Sequence, residues 1–169
     1  LQQFVPITTR EIPSGQKVFD WVVPDEWQIR AAWIAGPTGE RLVDFEECNL
    51  HVVGYSTPVN ERLTFAELEP RLHTLPDLPH AVPYRTSYYK RDWGFCVTQE
   101  QYQRLKASPG PLEVVIDSQF DAKGSLTIGE LVVPGSRKEE ILVSTYICHP
   151  SMANDNLSGV VTTTLLASQ

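Results

Sequence analysis

One stretch of the chain concentrates side chains able to do chemistry: Cys148-His149-Pro150-Ser151-Met152-Ala153-Asn154-Asp155-Asn156-Leu157-Ser158-Gly159. His149 offers a neutral imidazole nitrogen. Asp155, with five residues between it and His149, offers a carboxylate whose two oxygens can bridge two cations. Nitrogen and carboxylate together suit zinc best among the common ions. Two zinc ions about 3.5–4 Å apart would clamp a carbonyl and activate a water. Asn154 and Asn156 could orient the carboxylate from behind, and Ser158-Gly159 would let a helix approach the loop closely. The same residues also read as a loop histidine beside a proline and an Asp that caps a helix. Cys148 and His149 as a thiol and its base are disfavoured, because neighbours along a strand point to opposite faces.

The flanking elements must position these groups. Ile141–Cys148 (ILVSTYIC) is nearly all apolar or β-branched, the pattern of a strand buried on both faces of a parallel or mixed sheet. His149-Pro150 ends it, and the final helix is predicted to start near Asn156. In open α/β sheets ligands gather at the carboxyl ends of strands, where this loop would fall. Asp155 would sit at the helix start, held by backbone donors and the helix dipole.

Upstream, most of the 13 prolines and 10 glycines punctuate the chain and predict short strands and many turns. Strands are expected at Lys17–Val23, Gln28–Ala35, Arg41–Phe45, Leu50–Tyr55, Trp93–Val97, Leu112–Ile116 and Leu126–Val133. Gly36-Pro37-Thr38-Gly39 reads as a hairpin turn, and Asp121–Gly124 as a loop. Thr64-Phe65-Ala66-Glu67 and Thr98-Gln99-Glu100-Gln101 are capping patterns, opening helices to about Leu72 and Ala107. Leu75–Tyr84 holds three prolines and cannot be regular.

The chain has 169 residues, 41% of them apolar and 21% charged, enough for a packed core. Its net charge of −7 disfavours nucleic acid and anionic membranes as partners, since both need a cationic face. No apolar run approaches the roughly 18 residues of a transmembrane helix. Three widely spaced cysteines, Cys48, Cys96 and Cys148, suggest reduced thiols and a cytoplasmic setting. The absence of an initiator Met, and the run Val160–Gln169 that is apolar at helical spacing, read as part of a longer chain.

These residues carry a resemblance. The His149-Pro150, loop, Asn154-Asp155-Asn156-Leu157-Ser158-Gly159 pattern after a strand resembles the first metal motif of the co-catalytic zinc aminopeptidases. More of the chain resembles the bacterial and archaeal aminopeptidase-like family of unknown function, often named as polysaccharide biosynthesis proteins with an aminopeptidase-like domain. The match runs through Glu11–Gly15 with Lys17–Trp21, Asn49–Pro58, Leu72–Asp77, Thr86–Tyr89 with Trp93–Cys96, Gly129–Leu131 and Ser144–Ala153. It implies an α/β fold: part of a zinc-aminopeptidase-like (phosphorylase/hydrolase-type) mixed sheet with a β-rich section inserted in its N-terminal half. On that expectation residues 1–30 begin the core, 31–135 form the insert, and 136–169 return to the first metal motif.

The resemblance further implies that His149 is a zinc ligand and Asp155 a bridging one, for one or two zinc ions. The remaining ligands and the general-base Glu would lie beyond Gln169. The implied reaction is hydrolysis of a peptide or amide bond by metal-activated water, with this chain inactive alone. A non-catalytic scaffold for surface-polysaccharide assembly is the alternative. One position departs from the aminopeptidase pattern: Ser151 stands where an Asp would orient the ligand His, and a Ser does not raise ligand basicity as a carboxylate does.

His51 is expected to be structural, on a strand. His73 and His80 flank the proline-rich loop and are weaker ligand candidates. Tyr84, Tyr88, Tyr89 and Trp93 could stack on a peptide or sugar but fit loop packing better. Glu46-Glu47 and Glu139-Glu140 read as solvated faces.

Overall fold

The computed structural model describes residues 1–168 and divides them into two compact units, 27–120 and 1–26 with 121–168. The fold is mixed α/β, with small sheets and few helices.

The first unit by chain order starts with β1 (Thr8–Pro13), β2 (Lys17–Val18) and β3 (Trp21–Val22). The predicted single strand Lys17–Val23 is instead a tight hairpin, with Lys17 opposite Val22 and Val18 opposite Trp21. Its reversal falls at Phe19, whose φ is +54°. Alternation of apolar residues could not reveal a turn built on a non-glycine residue in the left-handed region.

The 27–120 unit is built on a four-stranded sheet. It takes β4 (Glu26–Ala35), β5 (Arg41–Asp44), β6 (Val59–Leu63) and β9 (Leu112–Asp121), in the order β5-β4-β9-β6. β4 and β5 form the predicted hairpin: Gly36 N–H donates to the Glu40 carbonyl at 2.9 Å, and Gly39 takes φ +87°, which favours glycine there. The predicted strand Leu50–Tyr55 is a correction. Asn49–His51 form a 3-10 turn, followed only by isolated bridges at Val52 and Gly54. Two short strands, β7 (Leu72–His73) and β8 (Phe95–Cys96), pair in parallel.

Both predicted caps form. Thr64 closes a reciprocal capping box with Glu67 at the start of α1 (Phe65–Leu68), which passes into a 3-10 turn holding Pro70. Thr98 does the same with Gln101 at the start of α2 (Gln99–Lys106). Each box satisfies backbone donors that the first helical turn leaves unpaired. Leu68 and Leu105 project from these helices into a core with Ile34, Val43, Phe95, Leu112, Val114 and Ile116, all essentially inaccessible. Ser56, fully buried, ties this core together: its carbonyl accepts from Trp27 Nε1 at 2.9 Å and Ser118 Oγ at 2.8 Å.

β9 leads through a turn at 122–124 into β10 (Ser125–Glu130), which pairs antiparallel with β1 from Thr8–Glu130 to Pro13–Ser125. Pairing of β1 with a strand more than a hundred residues away is a non-local choice. Last in the chain is α3 (Asn154–Ala167). No helix among the described residues is long and apolar enough to cross a membrane.

Candidate functional site

The predicted buried strand Ile141–Cys148 forms no ladder, and this is the main structural correction. Ile141 and Leu142 are 92% and 91% exposed, and Val143 and Ile147 are exposed too. A strand exists only where a neighbour takes its backbone hydrogen bonds, and among the described residues none pairs with this segment. The helix expectation fares better. Within α3, Asp155 (φ −93°, ψ 101°) and Asn156 (φ −129°, ψ 32°) are not helical, so regular geometry begins at Leu157. α3 buries Val160, while Leu157, Val161, Leu165 and Leu166 stay exposed.

The loop between them holds the two candidate ligands. His149 is half-buried, and its Nδ1 lies 2.7 Å from the Pro150 carbonyl oxygen. A carbonyl can only accept, so Nδ1 carries a proton, and in the neutral tautomer this places the lone pair on Nε2. That is the arrangement common to metal-binding histidines, whose other nitrogen donates to a carboxylate or a backbone carbonyl. Here the partner of Nδ1 is this backbone carbonyl. Ser151 itself adopts φ +53° and is exposed.

Asp155 is exposed and is gripped by a residue the sequence analysis did not single out. Tyr146 donates its phenolic hydroxyl to Asp155 Oδ1. The hydrogen bond to the carboxylate pushes the Tyr146 phenol above the usual tyrosine range. Asn156 does not turn to the carboxylate as expected. Its Nδ2 donates to Thr145 Oγ1 at 2.6 Å and to the Tyr146 carbonyl at 3.1 Å. Asn154 instead contributes its carbonyl, which accepts from Ser158 Oγ at 2.8 Å. Gly159 earns its place by clearance: a Cβ there would lie 2.2 Å from Asn156 Oδ1 and 2.9 Å from Thr145 Oγ1.

Chemically, His149 and Asp155 fit as two donors of a zinc site. Zinc takes four, and catalytic sites draw three of them from protein. Among the described residues no group of three or more His, Cys, Asp or Glu converges to hold an ion. Two donors alone fall short of the three that catalytic zinc sites draw from protein.

The remaining candidates lie elsewhere in the chain. His51 is buried; its Nδ1–H donates to the Cys96 carbonyl at 2.7 Å, and its Nε2 accepts from the Gln101 amide at 3.2 Å. It is structural as expected, although on a 3-10 turn and not a strand. His73 is half-buried on β7 and His80 is exposed. Tyr88 meets Tyr55 and Tyr89 edge-on, both at 4.8 Å, and Tyr55 stacks on Trp27 at 5.7 Å. Trp93 lies under the Arg71 guanidinium at 5.1 Å. Glu46, Glu47, Glu139 and Glu140 are exposed, and all three cysteines are free. An open apolar cleft of about 280 Å³ between Ile12, Val18, Trp21, Val23, Leu126 and Ile128 contains no acid, imidazole or nucleophile and is not a candidate for chemistry.

Comparison with known proteins adds independent information. The domain of unknown function DUF2172 matches residues 26–119, more than half of the chain and nearly coincident with the 27–120 unit. A Clostridium acetobutylicum protein, provisionally named a polysaccharide biosynthesis protein with aminopeptidase-like domain, is 49% identical over 167 residues. That alignment covers 99% of this chain and 38% of the relative. A crystal structure of a protein from the same organism, provisionally described as a peptidase, superimposes with a TM-score of 0.93 at 48% identity. It covers 99% of this chain and 39% of the solved one, so the chain spans about two-fifths of either relative's length.

Proposed function

This chain belongs to the DUF2172 family, and on that footing we propose that it is part of a zinc-dependent aminopeptidase-like hydrolase acting on a peptide or amide bond. The aminopeptidase-like and peptidase descriptions of the two relatives support the reaction class. The single observation that carries the assignment to residues is His149, whose Nδ1 proton is committed to a backbone carbonyl and whose lone pair is thereby placed on Nε2. Asp155, anchored by Tyr146, is the second donor.

When bound, zinc supplies Lewis-acid polarisation of the scissile carbonyl and activation of water. The chain's own residues do the positioning. The Nδ1 contact of His149 with the Pro150 carbonyl sets Nε2 as the nitrogen that would coordinate. Asp155 brings a negative charge and two oxygens to the same loop. On this reading the further donors and the general base would come from the rest of a protein as long as its relatives. The substrate is a small peptide-like or amide molecule.

The test is made on the protein at its natural length, purified without added metal or chelator. Zinc content by elemental mass spectrometry should reach one or two ions per chain. Turnover of an aminoacyl anilide should vanish on chelation and return with Zn²⁺. A metal-free protein that stays inactive with Zn²⁺, Mn²⁺ or Co²⁺ would overturn the reading.

A further inference from the structure

We propose that Tyr146 is the positioning residue of the Asp155 carboxylate, an inference that rests on the zinc-hydrolase reading above. Two adjacent residues of the extended segment, Thr145 and Tyr146, hold two adjacent residues of the loop, Asp155 and Asn156. The Tyr146 hydroxyl donates to Asp155 Oδ1. In the opposite direction, Asn156 Nδ2 donates to Thr145 Oγ1 at 2.6 Å and to the Tyr146 carbonyl at 3.1 Å. The backbone carbonyl and the hydroxyl of one residue thus grip neighbouring side chains.

The geometry explains what an exposed carboxylate at a loop-to-helix junction would otherwise lack. Asp155 is exposed and lies outside regular helical geometry, so rotation about its side-chain bonds is not blocked by packing. A donor aimed at Oδ1 removes that freedom and leaves the other lone pairs for cations, since a carboxylate has about four. Ordering a ligand before the ion arrives lowers the entropy cost of binding. Tyr146 is half in solvent, at 51% exposure, so its ring contributes little to a core. The absence of a side chain at Gly159 fits the same arrangement, because a Cβ would strike both Asn156 and Thr145.

The experiment compares Tyr146→Phe with the unaltered full-length protein, measuring Zn²⁺ affinity by competition with a chromophoric chelator and melting temperature without metal. Loss of an orienting partner should weaken Zn²⁺ binding roughly 10–100-fold while the metal-free melting temperature stays unchanged. Any accompanying loss of turnover should fall on kcat more than KM. Unaltered Zn²⁺ affinity in Tyr146→Phe would overturn the proposal and leave the zinc reading standing. A weaker affinity accompanied by a lower metal-free melting temperature would make Tyr146 a packing residue and overturn it too. Failure of the unaltered protein to bind Zn²⁺ would instead remove the reading, and the proposal with it.

Discussion

The Nδ1–H of His149 is donated to the carbonyl oxygen of Pro150 at 2.7 Å. In the proposed zinc site, the residue that follows the histidine would do the work that a second side chain does elsewhere. Proline suits the position: it lacks an N–H and fixes its own φ, so its carbonyl is presented from a stiff backbone. His149→Ala in the full-length protein should lower bound zinc and cut hydrolysis by more than the roughly 10–100-fold typical of losing a supporting partner. Elemental analysis and steady-state kinetics on the same preparation check it.

Gly94 sits where no side chain fits. A Cβ there would lie 2.9 Å from the Arg71 carbonyl oxygen and 3.1 Å from Val53 Cγ2. Both are in the packed 27–120 unit, and the nearest obstacle is backbone, which cannot swing aside. Gly94→Ala should cost about 1–3 kcal/mol, the range for overpacking a core. A urea unfolding midpoint that does not move would contradict this.

His73 predicts a pH dependence of stability. Burial, then the nearby positive charge of Arg85, lowers its pKa below the ordinary value, against a smaller opposing pull from Asp92. In the unfolded chain the ring binds its proton near pH 6.5, so between that pH and the lowered folded value the unfolded state holds more protons. Stability therefore rises with pH across this window. The His73 contribution is full above about pH 6.5 and is lost as pH falls through the folded pKa. His73→Gln should flatten the drop in melting temperature between neutral and mildly acidic pH, and an unchanged slope would refute the assignment.

The thiols should differ sharply in reactivity. Burial pushes the Cys96 thiol up to about 12, and its sulfur has no solvent access. Cys148 is exposed. Since the thiolate is the reactive species, iodoacetamide on the native chain should label Cys148 well before Cys96. Peptide mapping after alkylation, with and without denaturant, reads the order directly.

What was legible in the sequence was mostly local. Thr64 with Glu67, and Thr98 with Gln101, each complete a hydrogen-bonded unit within four residues, so the pattern alone locates the helix starts. Gly36–Gly39 announced the β4–β5 hairpin for the same reason. Elements that depend on distant partners were not legible. β1 is recognisable only beside β10. Ile141–Cys148 has a strand's composition and lacks a strand's neighbour. Leu50–Tyr55 alternates like a strand, but its polar groups go elsewhere: His51 turns inward to Cys96 and Gln101.

In the candidate site, His149 and Asp155 were visible because their residue types and the loop position suggest ligands. Tyr146 was not, since nothing in periodicity tells that a loop nine residues later folds back onto its hydroxyl. The expectation for Asn156 failed for a related reason. An amide beside a carboxylate can as readily satisfy itself on Thr145 and a backbone carbonyl, and only the path of the chain decides between them.

The central claim, that His149 and Asp155 hold a zinc ion, is tested most directly by anomalous diffraction at the zinc edge from crystals of the full-length protein. The account predicts a peak about 2.0–2.2 Å from both His149 Nε2 and an Asp155 carboxylate oxygen. A zinc-loaded crystal with no peak at that loop, or with its peak on other residues, would contradict it.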